Sequence, residues 1–517
     1  MKETKTLSYI NNGAIDFYSG IKIETKLKFE KLCEKLRKAN DEVYEKYNNY
    51  IKASFQKDVE KAISENGLEK ELTIKNIEKT NVKTKLDNLI KTEGDICGMK
   101  FDFTDRGFKI APVTIVDRYL NKMFEESEED FDYSKNIYGD IYVSSQARFM
   151  LPPIKIKFKN GEFGLLSATL FVFKNNTAVL RITLPIDNME SHPLMSNEID
   201  DYIDSAETLY GFPATLDNKS IESILDCYCR FISLTDKIKA VVRFKKIVNI
   251  ILANHSGNFD NIKQIPNKIK EDLYKISVAP LQERKGVSFL QEAERHFEKS
   301  SYLFSGIGYV LSSMGKCISV VDNTVLDFAK ENFDKDNVFE KIICDVRRNV
   351  EFTIIILLLK NVNDSYTFEQ NGLINSKLSK VKNEYNKNKI FISFLQSGVY
   401  GSVRELTDAF LKNMTFFLDV KNVEDRMLAL NNILEEEQSG RILKLQNVLS
   451  ISGLLFTIFF GLPAINETLL HLRKLCTFIK EDLPFVSIEN CSFALWFLAI
   501  VWLSAFIFFK SRTRKID

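Results

Sequence analysis

The sequence predicts an α+β cytosolic region with a long stalk helix, followed by two C-terminal transmembrane helices. Three observations predict it. Two charge-free apolar runs, Leu445–Asn466 and Asn490–Phe509, lie close to the end of the chain. Short-period apolar patterning runs between Met99 and Ile186, and helical periodicity continues from about Ser402 with no proline before Pro463. About 20 apolar residues rising ~1.5 Å each match a hydrocarbon core of ~30 Å, which is the basis of the two expected spans.

The elements follow in chain order. Residues 22–64 read as a charged amphipathic helix, with Leu27, Phe29, Leu32, Leu36, Val43 and Tyr47 at helical spacing. The clearest strands are Ile154–Phe158, Gly164–Phe173 and Thr177–Leu184. The last two flank Lys174-Asn175-Asn176, where Asn tolerates the positive φ of a tight hairpin. Residues 187–220 hold Pro193, Pro213, Glu198, Asp200, Asp201 and Asp204 and read as a polar connection. Helical material is expected over Ile221–Asn254 and Ile269–Ser300, then a strand pair at Ser301–Ser312 and Lys316–Val321.

From Asn337 the pattern is helical. Thr353–Leu359 is almost wholly apolar, but with Glu351 and Lys360 beside it the run is too short to span and reads as a buried core helix. Ser402, with Glu405 three residues on, forms an N-cap signature for the stalk. A continuous helix of ~60 residues would be ~90 Å long, with Ser439-Gly440 a place where it can bend. The chain thus divides into an N-terminal α+β region (1–186), a second α+β region (187–335) and a helical region with the stalk (336–444). A first transmembrane helix (445–466), an extracytoplasmic loop (467–489), a second transmembrane helix (490–509) and a basic tail (510–517) complete it.

Arg441 and Lys444 precede the first run, and Lys510, Arg512, Arg514 and Lys515 follow the second. This density of positive charge places both termini in the cytoplasm of a multi-pass protein of the bacterial inner membrane. No apolar stretch of signal-peptide type opens the sequence. The eight cysteines and four histidines are scattered, without the paired spacings of metal sites, and read as reduced thiols and structural or surface imidazoles. Cys227 and Cys229 read as packing in a helix, and His192, His255 and His296 lack the spaced partners of a catalytic site. The acidic stretch from Glu198 to Asp204 reads as a polar loop, with cation binding as its functional alternative. A net charge of +1 provides no global field to recruit nucleic acid. The chain is not expected to be an enzyme.

On a helical wheel of the first run, Asn447, Ser450, Gly453, Thr457 and Gly461 fall on one arc together with Gln446. Such a stripe serves either close helix packing or the wall of a pore. Glu435 and Glu436 lie below it, where a ring of carboxylates at a pore mouth would concentrate cations; a solvated acidic face is the plainer reading.

This layout, with the local run Leu445–Thr457 followed by Phe460-Gly461-Leu462-Pro463, resembles the CorA-type two-transmembrane cation channels over about the last 120 residues. The resemblance implies a homopentamer lined by the stalk and first span, with a divalent cation such as Mg²⁺ as the permeant ion. One departure stands out: the family closes its first span with Gly-Met-Asn, whereas Leu462 and Pro463 follow Gly461 here. The large cytosolic part further resembles the CorA-like effectors of type III CRISPR systems. That likeness implies antiviral defence, with a channel gated by a nucleotide second messenger such as the S-adenosylmethionine–AMP conjugate (SAM-AMP). No phosphate-cradling glycine motif accompanies it. The rival expectations are a constitutive divalent-cation transporter and a membrane-anchored binding or scaffold protein without a pore.

Overall fold

The computed structural model describes residues 6–45, 98–104, 107–113, 138–159, 163–196, 203–208, 219–233, 237–278, 289–304, 306–311, 315–333, 338–371, 378–399, 401–413 and 420–475, with a few further positions including 494, 496–498 and 501–502. Two units emerge, residues 1–423 and 424–517.

The first unit is organised by a nine-stranded sheet in the order β7-β4-β5-β6-β1-β8-β11-β10-β9. Its strands are β1 (Tyr9–Thr25), β4 (Gln146–Phe158), β5 (Phe163–Phe173), β6 (Thr177–Glu190), β7 (Ile203–Thr208), β8 (Ile238–His255), β9 (Ser301–Phe304), β10 (Ile307–Leu311) and β11 (Lys316–Val321). A separate hairpin pairs β2 (Gly98–Thr104) with β3 (Gly107–Val113). Neighbours in the large sheet run antiparallel, except for the parallel pair β8 and β11. Strands from residues 1–186 and from 187–335 therefore share one sheet. At the β5–β6 turn Asn176 takes a φ of 58°, the left-handed conformation that Asn accommodates.

Helices cover both faces. One face carries α1 (29–45), α3 (His192–Ser196), α4 (Ile221–Ser233), α5 (Asn267–Val278) and α6 (Leu290–Ser300), after α2 (138–144), which lies on the other. With α2 lie α7 (Asn323–Asn332), α8 (Val338–Asn371), α9 (Leu378–Ser397) and α10 (Gly401–Asn413). Because side chains alternate across a strand, Val248, Ile250 and Leu252 of β8 enter the first core and Ile247, Ile251 and Ala253 the second. In α8, Phe352 and Ile354–Leu359 are all but fully buried, so this apolar run crosses the unit's own core.

Three sequence expectations change here. Residues 22–25 finish β1, and helix α1 begins only at 29; residues 46–64 lie outside the described residues. The stretch Ile221–Asn254 is helix α4 followed by strand β8. A central strand buried on both faces is apolar at successive positions, so its two-residue period disappears; its Val and Ile content is the surviving signal. Residues 187–220 also hold structure, since β7 pairs with β4 along Ile154–Phe158.

The second unit is dominated by α11, which runs from Val420 to Leu475 and contains Pro463. Residues 414–419, between α10 and α11, lie outside the described residues, so the expected continuity of the stalk falls there. Among the described residues no helix is long and apolar enough to cross a membrane. This overturns the expected fold class with a transmembrane helix at 445–466, the membrane and transmembrane assignment, and the multi-pass inner-membrane location with both termini cytoplasmic, while the second expected span at 490–509 lies mostly outside the described residues. Absence of charge is not continuous apolarity: Asn447, Ser450, Ser452, Gly453, Thr457 and Gly461 interrupt the first run, which shares one helix with Arg441, Lys444 and Glu467. Residues 490–509 are described only at positions such as 494, 496–498 and 501–502.

Candidate functional site

The face of the sheet beneath α8 carries a buried polar array. The two-residue period puts Asp16 and Tyr18 of β1, Arg181 and Thr183 of β6, Asn249 of β8 and Ser319 of β11 on this face, within otherwise apolar strands. Helix α8 answers with Arg347 and Glu351, one turn apart. Arg347 bonds Asp16 through Nε at 2.9 Å and Nη2 at 3.0 Å. Asp16 also accepts from Thr183 Oγ1 at 2.8 Å and Asn249 Nδ2 at 3.4 Å. Arg181 pairs with Glu351 and donates to Thr169 Oγ1 at 3.2 Å, and the Tyr18 hydroxyl donates to Glu351 at 3.2 Å.

Charge balance keeps the two buried guanidinium groups protonated in the core. Burial works against the Arg347 guanidinium, but Asp16 beside it holds its pKa well above the usual range. Burial likewise opposes the charge of Arg181, and Glu351 outweighs it. Tyr18 is driven the other way: burial, then Glu351, raise its phenol far above its ordinary value, so it stays a donor.

A few residues further along α8 the packing becomes a helix clip. Thr407 of α10 donates to its own Val403 carbonyl at 2.7 Å and lies 2.7 Å from Thr353 Oγ1. With its proton spent on Val403, Thr407 accepts from Thr353. Tyr138 and Tyr142 of α2 pack on Phe352 with ring centroids 4.8 and 4.9 Å away, and the Tyr138 hydroxyl donates to the Arg348 carbonyl.

Beside the clip, a cleft of about 120 Å³ opens at the β9 edge of the sheet. Tyr302, Leu303 and Tyr309 line it from β9 and β10, Asn349 from α8, and Val403, Glu405 and Leu406 from α10. Glu405 and Leu303 are exposed, whereas Tyr309 and Val403 are buried. The cleft thus touches both helices that the clip joins.

The residues expected at a pore all sit on α11. Asn447, Ser450, Gly453, Thr457, Glu435 and Glu436 are exposed and Gly461 is half-buried. A Cβ added at Gly453 would meet nothing within 4 Å, and one at Gly461 would lie 3.6 Å from Trp496 Nε1. The Thr457 hydroxyl folds back onto the Gly453 carbonyl at 2.9 Å. Ile442, Leu445, Val448, Leu449, Ile451, Phe456 and Phe460 are also exposed, so the stripe is one strip of a helix whose other sides are large and apolar.

Most of the other candidate reactive side chains among the described residues are enclosed. His255 is 1 % exposed, and burial lowers its pKa to about 4 despite a backbone contact with Val321 that favours the proton. Ser277 lies 3.4 Å from His296 Nε2, but it is fully buried and donates to the Tyr274 carbonyl. Lys316, lowered to about 8 by burial and then by Lys246, donates to the Ile276 carbonyl at the end of α5. Cys227 and Cys229 are buried in α4, and burial pushes the Cys229 thiol up to about 12. His192 is exposed at the start of α3. Asp204 is exposed in β7, while Glu198, Asp200 and Asp201 lie outside the described residues. Among the described residues no group of His, Cys, Asp and Glu is arranged to hold a metal ion.

No family model, curated protein or solved structure matches this chain.

Sequence reasoning passed over the polar array and the cleft. A lone charge inside an apolar strand, as at Asp16 and Arg181, was the available signal for the array. The cleft had none, because its residues are up to about a hundred positions apart and only the fold unites them.

Proposed function

We propose that this chain is a self-assembling, ligand-responsive protein without catalytic activity. Helix α11 forms the core of a homo-oligomer, and the sheet-containing unit receives a small-molecule signal. The supporting observation is the apolar surface of α11: Ile442, Leu445, Val448, Leu449, Ile451, Phe456 and Phe460 are each 56–67 % exposed. Together they present on the order of 800 Å² of side-chain surface, which is what one partner brings to a standard interface. Patches of that size mark interaction sites.

The occupant of this surface is α11 of further copies. Large apolar side chains surround the helix except along the stripe, so one neighbour would leave a flank uncovered and several copies would not. Ser450, Gly453 and Thr457 then supply the small positions at which helix backbones approach closely. In a parallel assembly Glu435 and Glu436 of neighbouring copies come together, and their repulsion makes assembly stronger at higher salt. A pentamer is the order implied by the resemblance. The resemblance also makes SAM-AMP the first ligand to test and Mg²⁺ the first ion.

Native mass spectrometry of the full chain, with and without SAM-AMP and Mg²⁺, tests this reading. It expects a closed oligomer of defined number whose distribution shifts with ligand. A monomer at every concentration would overturn the assembly. An oligomer indifferent to each ligand offered, including the probes below, would overturn the response.

A further inference from the structure

We infer that the cleft between β9, β10, α8 and α10 is a binding site for a small organic ammonium compound with a compact apolar body. The inference rests on the reading that the sheet-containing unit receives a small ligand, and it names the chemistry of that ligand.

Size sets the first limit. A volume of about 120 Å³ is slightly below that of a 150 Å³ engineered cavity that holds benzene, and far below the ~300 Å³ at which drug-sized sites begin. The enclosed ligand is therefore a ring or short branched chain. A dinucleotide conjugate would leave most of its atoms outside.

Charge sets the second. Among the described lining residues Glu405 is the single Asp, Glu, Lys, Arg or His, and it stands exposed at the cleft. Its carboxylate sits early in α10, where it counters the positive end of that helix. An entering anion meets this carboxylate; an entering cation is attracted by it. Tyr302 and Tyr309 add aromatic rings to the lining, and aromatic faces favour a cation. Leu303, Val403 and Leu406 supply the apolar wall. An ammonium group on a small apolar body matches the carboxylate, the aromatic rings and the apolar wall, whereas a phosphate group would be repelled by Glu405.

The position also gives such a ligand leverage. Val403 lines the cleft, and its carbonyl is the acceptor for Thr407, which is bonded to Thr353. A molecule between Val403 and Asn349 therefore loads the contact that holds α10 to α8.

The test uses the full chain and three isosteric probes, benzylammonium, benzyl alcohol and benzoate, followed by saturation-transfer NMR and calorimetric titration. Benzylammonium is expected to bind at least about tenfold more tightly than benzoate. Glu405→Gln, at an exposed position, should weaken benzylammonium about tenfold and leave benzyl alcohol unchanged. Leu303→Lys, also exposed, should act in the same direction by placing a positive charge in the lining. Equal binding of benzoate, no binding of benzylammonium, or an unchanged affinity in Glu405→Gln would overturn the site. Oligomeric mass recorded on the same samples separates the two claims. Amine binding without a change in mass upholds the cleft, and refutes the ligand response where SAM-AMP and Mg²⁺ also leave the mass unchanged; absence of amine binding with an intact oligomer refutes the cleft alone.

Discussion

Arg347 clasps Asp16 through two hydrogen bonds, Nε to Oδ2 at 2.9 Å and Nη2 to Oδ1 at 3.0 Å, where the aspartate has no solvent exposure. The pair joins the central strand β1 to α8, so it sets the rotation of that helix on the sheet. Asp16→Ala leaves the guanidinium buried without its counter-charge, and should lower unfolding free energy by about 3–5 kcal/mol. Replacing both partners, Asp16→Leu with Arg347→Met, removes the stranded charge and should recover most of that loss. Urea unfolding of the single and double variants measures both. A double variant no more stable than the single one would show that the array acts through more than this pair.

The Thr353–Thr407 contact carries a smaller prediction. Thr407→Val removes a hydroxyl without changing side-chain shape and leaves Thr353 buried beside a methyl group. The expected cost is about 1–3 kcal/mol, the penalty for an unmet buried polar group. Hydrogen exchange should show faster opening of α10, with the sheet unchanged. Uniform destabilisation of the unit would mean that α10 does not open separately.

The two largest shifts bearing on acid stability among the described residues, at His255 and Asp364, oppose each other. Burial lowers His255 to about 4. Unfolded chain takes up this proton below about pH 6.5, so stability falls as pH drops through 6.5 and levels off below 4. Asp364 in α8 goes the other way: burial raises it to about 6, although its Tyr385 hydrogen bond pulls downward. Its contribution is complete below the unfolded value near 3.8 and is lost as pH rises through 6. Each is on the order of 3 kcal/mol, so they nearly cancel in the native chain. Asp364→Asn should expose the histidine, making the variant less stable at pH 4.5 than at pH 6.5 by roughly 2 kcal/mol. Denaturation at those two pH values checks this, and a flat profile in the variant would contradict it.

The β5–β6 hairpin was readable from the sequence, since two apolar runs rich in Val, Ile, Phe and Thr flank Asn175-Asn176, which marks the turn. The buried role of Ile354–Leu359 was readable too, because Glu351 and Lys360 bound the run. Strand β8 was not: between β1 and β11 it is covered on both faces, so hydrophobicity ceases to report its period. The transmembrane expectation failed because lack of charge over about 20 residues was given more weight than the polar and small positions that recur along one side of α11. The array depends on the pairing of Asp16 with Arg347, and the cleft on bringing residues as distant as Tyr302 and Val403 to one place, which local periodicity does not encode.

The most direct test of self-assembly through α11 is light scattering on the size-fractionated full chain, beside a variant carrying Leu449→Glu and Phe456→Glu. Both positions are exposed, at 67 % and 65 %, so the substitutions do not disturb the fold of a single copy. The account predicts an oligomer of fixed number for the native chain and a monomer for the variant, with identical unfolding of the sheet-containing unit. A native chain that runs as a monomer, or a variant that keeps the native mass, would contradict it.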